Sequence, residues 1–113
     1  MKATAPSADE FKALLASAIA GIKSQRRREF IESKLISPYE TRLHWEYGAN
    51  EEFVAWVFAD FGERGVVAQY CLGGHGARGS PWGINFRDDK SFGQDSGWYQ
   101  SLTDLVADWG VEA

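Results

Sequence analysis

The hydrophobic period of this chain changes near Thr41, and that change limits the folds open to it. Before it, Phe11, Leu14, Leu15, Ala18, Ile19 and Ile22 recur at helical spacing and form one apolar stripe. From Thr41 the period is two. Leu43, Trp45 and Tyr47 alternate with Arg42, His44 and Glu46, the pattern of a strand with one buried face. A helical repeat does not sit still as a strand, so the chain reads as helix first and sheet after.

The first helix has a start signal. Ser7-Ala8-Asp9-Glu10 is a capping box, in which the serine hydroxyl accepts from the amide of Glu10 and the glutamate reaches back. Residues 1–6 ahead of it read as a frayed end. The stripe loses register around Gln25-Arg26-Arg27-Arg28, which leaves either a bent helix or a second short one, ended by Ser37-Pro38. After the strand from Thr41, Gly48-Ala49-Asn50-Glu51 reads as a turn. Phe53 to Phe61 is apolar on both faces and reads as a central strand. Gly62-Glu63-Arg64-Gly65 turns into a third strand, Val66 to Leu72, and Trp82 to Phe86 makes a fourth. Leu102, Leu105, Val106 and Trp109 restore helical spacing after a Ser101 cap, with Gly110 at the stop. The expectation is a single α+β domain over residues 1–113: a four-stranded antiparallel meander, with the helices packed on one face. If the chain were instead a subunit of a homo-oligomer, the stripe of the first helix would be exposed in the monomer.

Seven of the twelve glycines fall between Gly73 and Gly97, interleaved with Trp82, Phe86, Phe92, Trp98 and Tyr99. Glycine supplies unusual backbone shapes and aromatics supply rigid contact area, so this stretch reads as a shaped loop surface. Gly74-His75-Gly76-Ala77-Arg78-Gly79 matches G-x-G-x-x-G literally. The phosphate-binding version opens a helix, whereas Ser80-Pro81-Trp82 leads here into a strand, so the stretch reads as a connector. Cys71 and His75 stand four apart across it. An active thiolate needs a base in reach and a third group to orient that base, and a cysteine at the end of an apolar strand is more often inert. One cysteine and two histidines in no paired spacing give no metal site, and no cofactor is implied.

Net charge is −4, and its distribution is uneven. Residues 1–42 hold eight Lys/Arg and five Asp/Glu, and residues 43–113 hold four and eleven. The asymmetry reads first as a charge gradient that keeps a small protein in solution, and alternatively as an acidic, aromatic-rich half suited to a basic protein surface; the net charge argues against nucleic acid. The Arg26-Arg27-Arg28 run, with Glu29 and Glu32 beside it, reads as a solvated helix face. No apolar run reaches the ~20 residues of a membrane span. A lone cysteine fits a reducing cytoplasm.

Tyr70-Cys71, Gly74 to Gly76, Pro81-Trp82-Gly83 and Asp95-Ser96-Gly97-Trp98-Tyr99, with Ser101-Leu102 before a short helix, resemble a family of small uncharacterised bacterial proteins. Some of these are similar to immunity proteins of polymorphic or contact-dependent toxin systems. The resemblance spans residues 40–107 and brings no catalytic motif with it. It implies a small cytoplasmic protein that binds one-to-one over a toxin domain and neutralises it; the chain itself is expected to be a monomer or homodimer. The residues expected to serve a partner are Arg78, Trp82, Asp88, Asp89, Asp95, Trp98 and Tyr99, with one of Trp98 and Tyr99 expected to pack in the core and at least one of the three aromatics to face the partner. The acids would steer a basic partner and the aromatics, with Arg78, would anchor it. The competing expectation is a small-ligand binder or enzyme with a pocket at the Gly73–Gly79 loop, lined by Cys71, His75, Arg78 and Asp95.

Overall fold

A computed structural model describes residues 5–45, 51–92 and 97–109. The capping box forms as the sequence requires. The Glu10 amide donates to Ser7 Oγ at 3.2 Å, and the Ser7 amide donates to Glu10 Oε1 at 2.8 Å. Helix α1 then runs Ala8–Ala20. The loss of register beyond it resolves into a separate helix, α2, Gln25–Lys34, with Ser24 Oγ accepting from the Arg27 amide. Ile22, fully buried, plugs the break, and its carbonyl accepts from Arg28 Nη1 at 2.7 Å.

Proline is not what ends the second helix. α2 stops at Lys34, and β1 begins at once, spanning Leu35–Trp45 with Pro38 inside it. The strand tolerates proline because β1 is the outer strand of the sheet, where one row of amides has no ladder to join. β2 (Glu51–Asp60), β3 (Val66–Tyr70) and β4 (Trp82–Phe86) follow. A fifth strand, β5, is only Trp98–Tyr99. All pairs are antiparallel in the order β1-β2-β3-β4-β5, so the meander has five strands rather than four. α3, Leu102–Trp109, closes the described chain.

β2 is apolar on both sides because it has a core on both sides. Trp56 and Phe58 belong to a cluster with Phe11, Leu15 and Ile19 of α1, Ile31 of α2, and Leu102, Leu105 and Val106 of α3. Ala55, on the alternate face, joins Leu43, Trp45, Cys71, Phe92 and Trp98. The α1 stripe is thus spent within the monomer, against the oligomer expectation. Of the stretch expected to fray, residues 1–4 lie outside the described residues. Pro6 is held, its carbonyl accepting from Trp56 Nε1 at 2.9 Å. Among the described residues no helix is long and apolar enough to cross a membrane.

Candidate functional site

The glycine loop is built to lie flat on the sheet. Cys71 N donates to the Pro81 carbonyl at 2.9 Å, closing the loop, and a 3₁₀ turn occupies Gly74–Arg78. Gly74 has φ +55°, and a Cβ there would meet the Phe92 ring at 2.6 Å. A side chain at Gly76 would collide with the Cys71 carbonyl. These glycines serve close approach of backbone to core, not a phosphate.

The loop turns its chemistry inward. His75 is 6% exposed and stands edge-on to Trp45, ring centroids 4.9 Å apart, with Phe92 and Trp98 also against it. Cys71 is 1% exposed and its Sγ lies 3.4 Å from the Val54 carbonyl. Burial pushes its thiol up to about 11, which the Gly73 backbone hydrogen bond only partly offsets. A thiol held in that form is no nucleophile near neutral pH. Arg78 is exposed, its guanidinium 5.7 Å over the Trp45 ring, and Asp95 lies outside the described residues. Of the three described members of the expected pocket, Cys71 and His75 are enclosed in the core and Arg78 lies at the surface over Trp45, so these three do not line a common pocket. Among the described residues no three His, Cys, Asp or Glu side chains gather as a metal site.

The residues expected to serve a partner divide likewise. Trp82 is buried between Tyr70 and Phe58, at centroid distances of 4.7 and 5.6 Å. Trp98 is buried too, with Nε1 donating to the Phe92 carbonyl at 2.8 Å. Both are framework, because Gly83 opposite Trp98 has no side chain and lets the indole lie on β4. Asp89 is half-buried and accepts from the Ser91 amide and hydroxyl at 2.9 and 2.8 Å, which shapes its turn. Asp88 is exposed.

Tyr99, unlike Trp82 and Trp98, reaches the surface. It is half-buried, its hydroxyl donating to Asp108 Oδ2 at 2.5 Å and accepting from Trp109 Nε1 at 2.9 Å. Burial first, and then the Asp108 hydrogen bond, push its phenol up to about 12, so it stays a donor at any physiological pH. Two concavities flank it. One, of about 440 Å³, is lined by Ser80, Trp98, Gln100, Asp104 and Asp108 besides Tyr99 itself. The other, of about 460 Å³, is lined by Arg64, Gly97, Asp108 and Trp109 with the same tyrosine. Arg64 is fixed there, donating to the Trp109 carbonyl at 2.7 Å with its guanidinium 4.8 Å from the indole centroid.

The sequence reading missed Phe86, which is 68% exposed. It shares the alternation of Trp82 and Ile84 but ends the strand beyond the packed core. The turn behind it is rigid: Arg87 grips Asp60 through Nε and Nη2 at 3.0 and 2.6 Å, and its Nη2 also donates to the Gly62 carbonyl at 2.8 Å. The arginine holds the Asp60 carboxyl down at about 2. An aromatic followed at once by Arg87-Asp88-Asp89-Lys90 was the available signal. Compared with protein-family models, curated proteins and solved structures, the chain gives no match.

Proposed function

We propose that this chain is a non-catalytic binding protein of the immunity type, which neutralises a basic toxin domain by covering it. In this reading it acts in the bacterial cytoplasm, and its helices cover one face of the sheet while the glycine loop covers the other. The observation that carries it is Tyr99 standing between two adjoining concavities that share Asp108. Each is of a size to take a long side chain. In the concavity on the Asp104 side, Asp104 and Asp108 supply negative charge for an arginine or lysine and Tyr99 supplies a ring beside it, while Trp109 already carries the chain's own Arg64. Phe86 and Asp88 extend the footprint. Tyr99 pairs with Trp82, and Phe86 lies four residues farther along β4, about 13 Å away. That is well within one interface of ordinary size. Enzymatic work at the Gly73–Gly79 loop has less to stand on, since Cys71 and His75 are enclosed.

The test uses tagged protein and an Asp88→Lys/Asp104→Lys variant, both exposed positions, to capture partners gently from the host. The expected result is a stoichiometric basic protein held by the parent, released by high salt, and held at least tenfold less tightly by the variant. Equal retention by the two proteins, or no loss in salt, would remove the electrostatic mechanism.

A further inference from the structure

A groove of about 670 Å³ lies away from Tyr99, walled by α1, α2 and the start of β1. Its size is that of a small-molecule site, commonly ~300–1,000 Å³. Leu15, Ile19, Leu35, Ile36 and Pro38 make an aliphatic lining with no aromatic ring, and Ala16 and Ala20 on α1 keep the wall low. Lys12 and Arg28 stand on the rim with Glu32. The one ion pair among the described residues is Arg87–Asp60, so neither rim cation is held in a direct ion pair, and with Glu32 beside them the rim keeps one net positive charge. Arg28 is also held in place: Nη1 is tied to the Ile22 carbonyl, and no hydrogen bond of its other guanidinium nitrogens is seen among the described residues.

The groove adjoins the outer edge of the sheet, which invites the thought of an added peptide strand. The edge is closed to one. Leu35 pairs with Ala59 and Tyr39 with Val57, so four steps of β1 oppose two of β2 and the intervening segment bulges. Pro38 in that bulge has no amide to donate. Farther along, His44 N donates to the Lys90 carbonyl at 2.6 Å and Lys90 Nζ reaches Thr41 Oγ1 at 3.3 Å, so a segment of the chain already covers that half. What remains is a side-chain-lined groove with an aliphatic floor and a net positive rim.

We infer that the groove binds a small amphipathic anion, a free medium-chain carboxylate, with its chain along Leu15, Ile19 and Ile36 and its headgroup held by Arg28 and Lys12. The arginine offers the geometry a carboxylate accepts, and the lysine adds charge. Binding here is independent of the Tyr99 surface.

The probe is decanoate below its micelle concentration, followed by amide chemical shifts of the intact protein. Expected are saturable one-to-one shifts confined to residues 12–20 and 28–38. Decyltrimethylammonium, with the same tail and the opposite charge, should bind at least tenfold more weakly. Lys12→Glu, at an exposed position, should weaken decanoate severalfold. Ala16→Phe, which fills the groove from an exposed helix position, should abolish the shifts while the folded spectrum persists. Equal binding of the two surfactants, shifts spread over other surfaces, or full affinity in Ala16→Phe would overturn the assignment. So would binding to phosphatidylglycerol vesicles without binding of decanoate, or groove shifts that track protein concentration, which would give the groove to a membrane or to a second copy.

Discussion

Cys71 stands where a reactive thiol would be sought, beside a glycine loop and four residues from a histidine, and its surroundings remove the reactivity. Desolvation disfavours the charged thiolate, and the nearby Gly73 amide is too little to restore it. The sign for stability follows. An unfolded thiol ionises near pH 8.5, whereas the folded one keeps its proton to about 11. The stabilising contribution is therefore complete below the unfolded value and is lost as pH rises through that window. The urea midpoint should fall between about pH 9 and pH 11, and fall less steeply in Cys71→Ala. Native protein near neutral pH should resist iodoacetamide that labels the denatured chain fully, and equal labelling rates would contradict the burial argument. The same enclosure accounts for His75: three aromatic rings, and not a cleft, surround it.

At the scale of elements, β5 shows how a strand of two residues can matter. Its place depends on Gly83, where a Cβ would sit 2.6 Å from the Trp98 ring. Gly83→Ala should cost about 1–3 kcal/mol, as overpacked cores do, and should shift the fluorescence of the displaced indole. A variant with unchanged thermal midpoint and emission would mean that the ring relaxes freely. A strand of two residues, with Gly97 before it and Gln100-Ser101 after, has no period to read, which is why the sequence suggests four strands. The longer patterns were legible: the capping box, the α1 stripe, the apolar β2 and the i, i+3, i+4, i+7 spacing of α3 all appear as elements. The start of β1 was not, because Leu35-Ile36-Ser37-Pro38 has neither alternation nor a breaker before it, and a proline that reads as a stop is tolerated on a sheet edge. The candidate site was legible only in part. The sequence leaves open which of Trp98 and Tyr99 packs inside, and the fold puts Trp98 there, together with Trp82, so that these two fill the cores while Tyr99 and Asp88 reach the surface. Composition ranks a residue as an anchor, and only the fold decides which side of the surface it falls on.

Across the whole molecule, the proposed binding role assigns stability and recognition to different residues, and this separation can be tested at Phe86. With two cores satisfied elsewhere, a side chain that is 68% exposed contributes little to folding. Phe86→Ser should keep the thermal midpoint within the equivalent of about 0.5 kcal/mol, the usual range for surface changes. The turn beneath it is secured independently by the Arg87–Asp60 pair and by the Arg87 amide on the Gly65 carbonyl at 3.0 Å, so the backbone has no reason to move. If Phe86 joins Tyr99 in one footprint, the same variant should raise the dissociation rate of the captured partner by at least fivefold, with association and its salt dependence nearly unchanged. Charge reversal at Asp88 and Asp104 should do the opposite, slowing association and flattening the salt response, because steering acts on encounter and apolar contact acts on residence. Loss of stability in Phe86→Ser would place that ring in the folding core. Unchanged dissociation would confine the footprint to Tyr99 and α3.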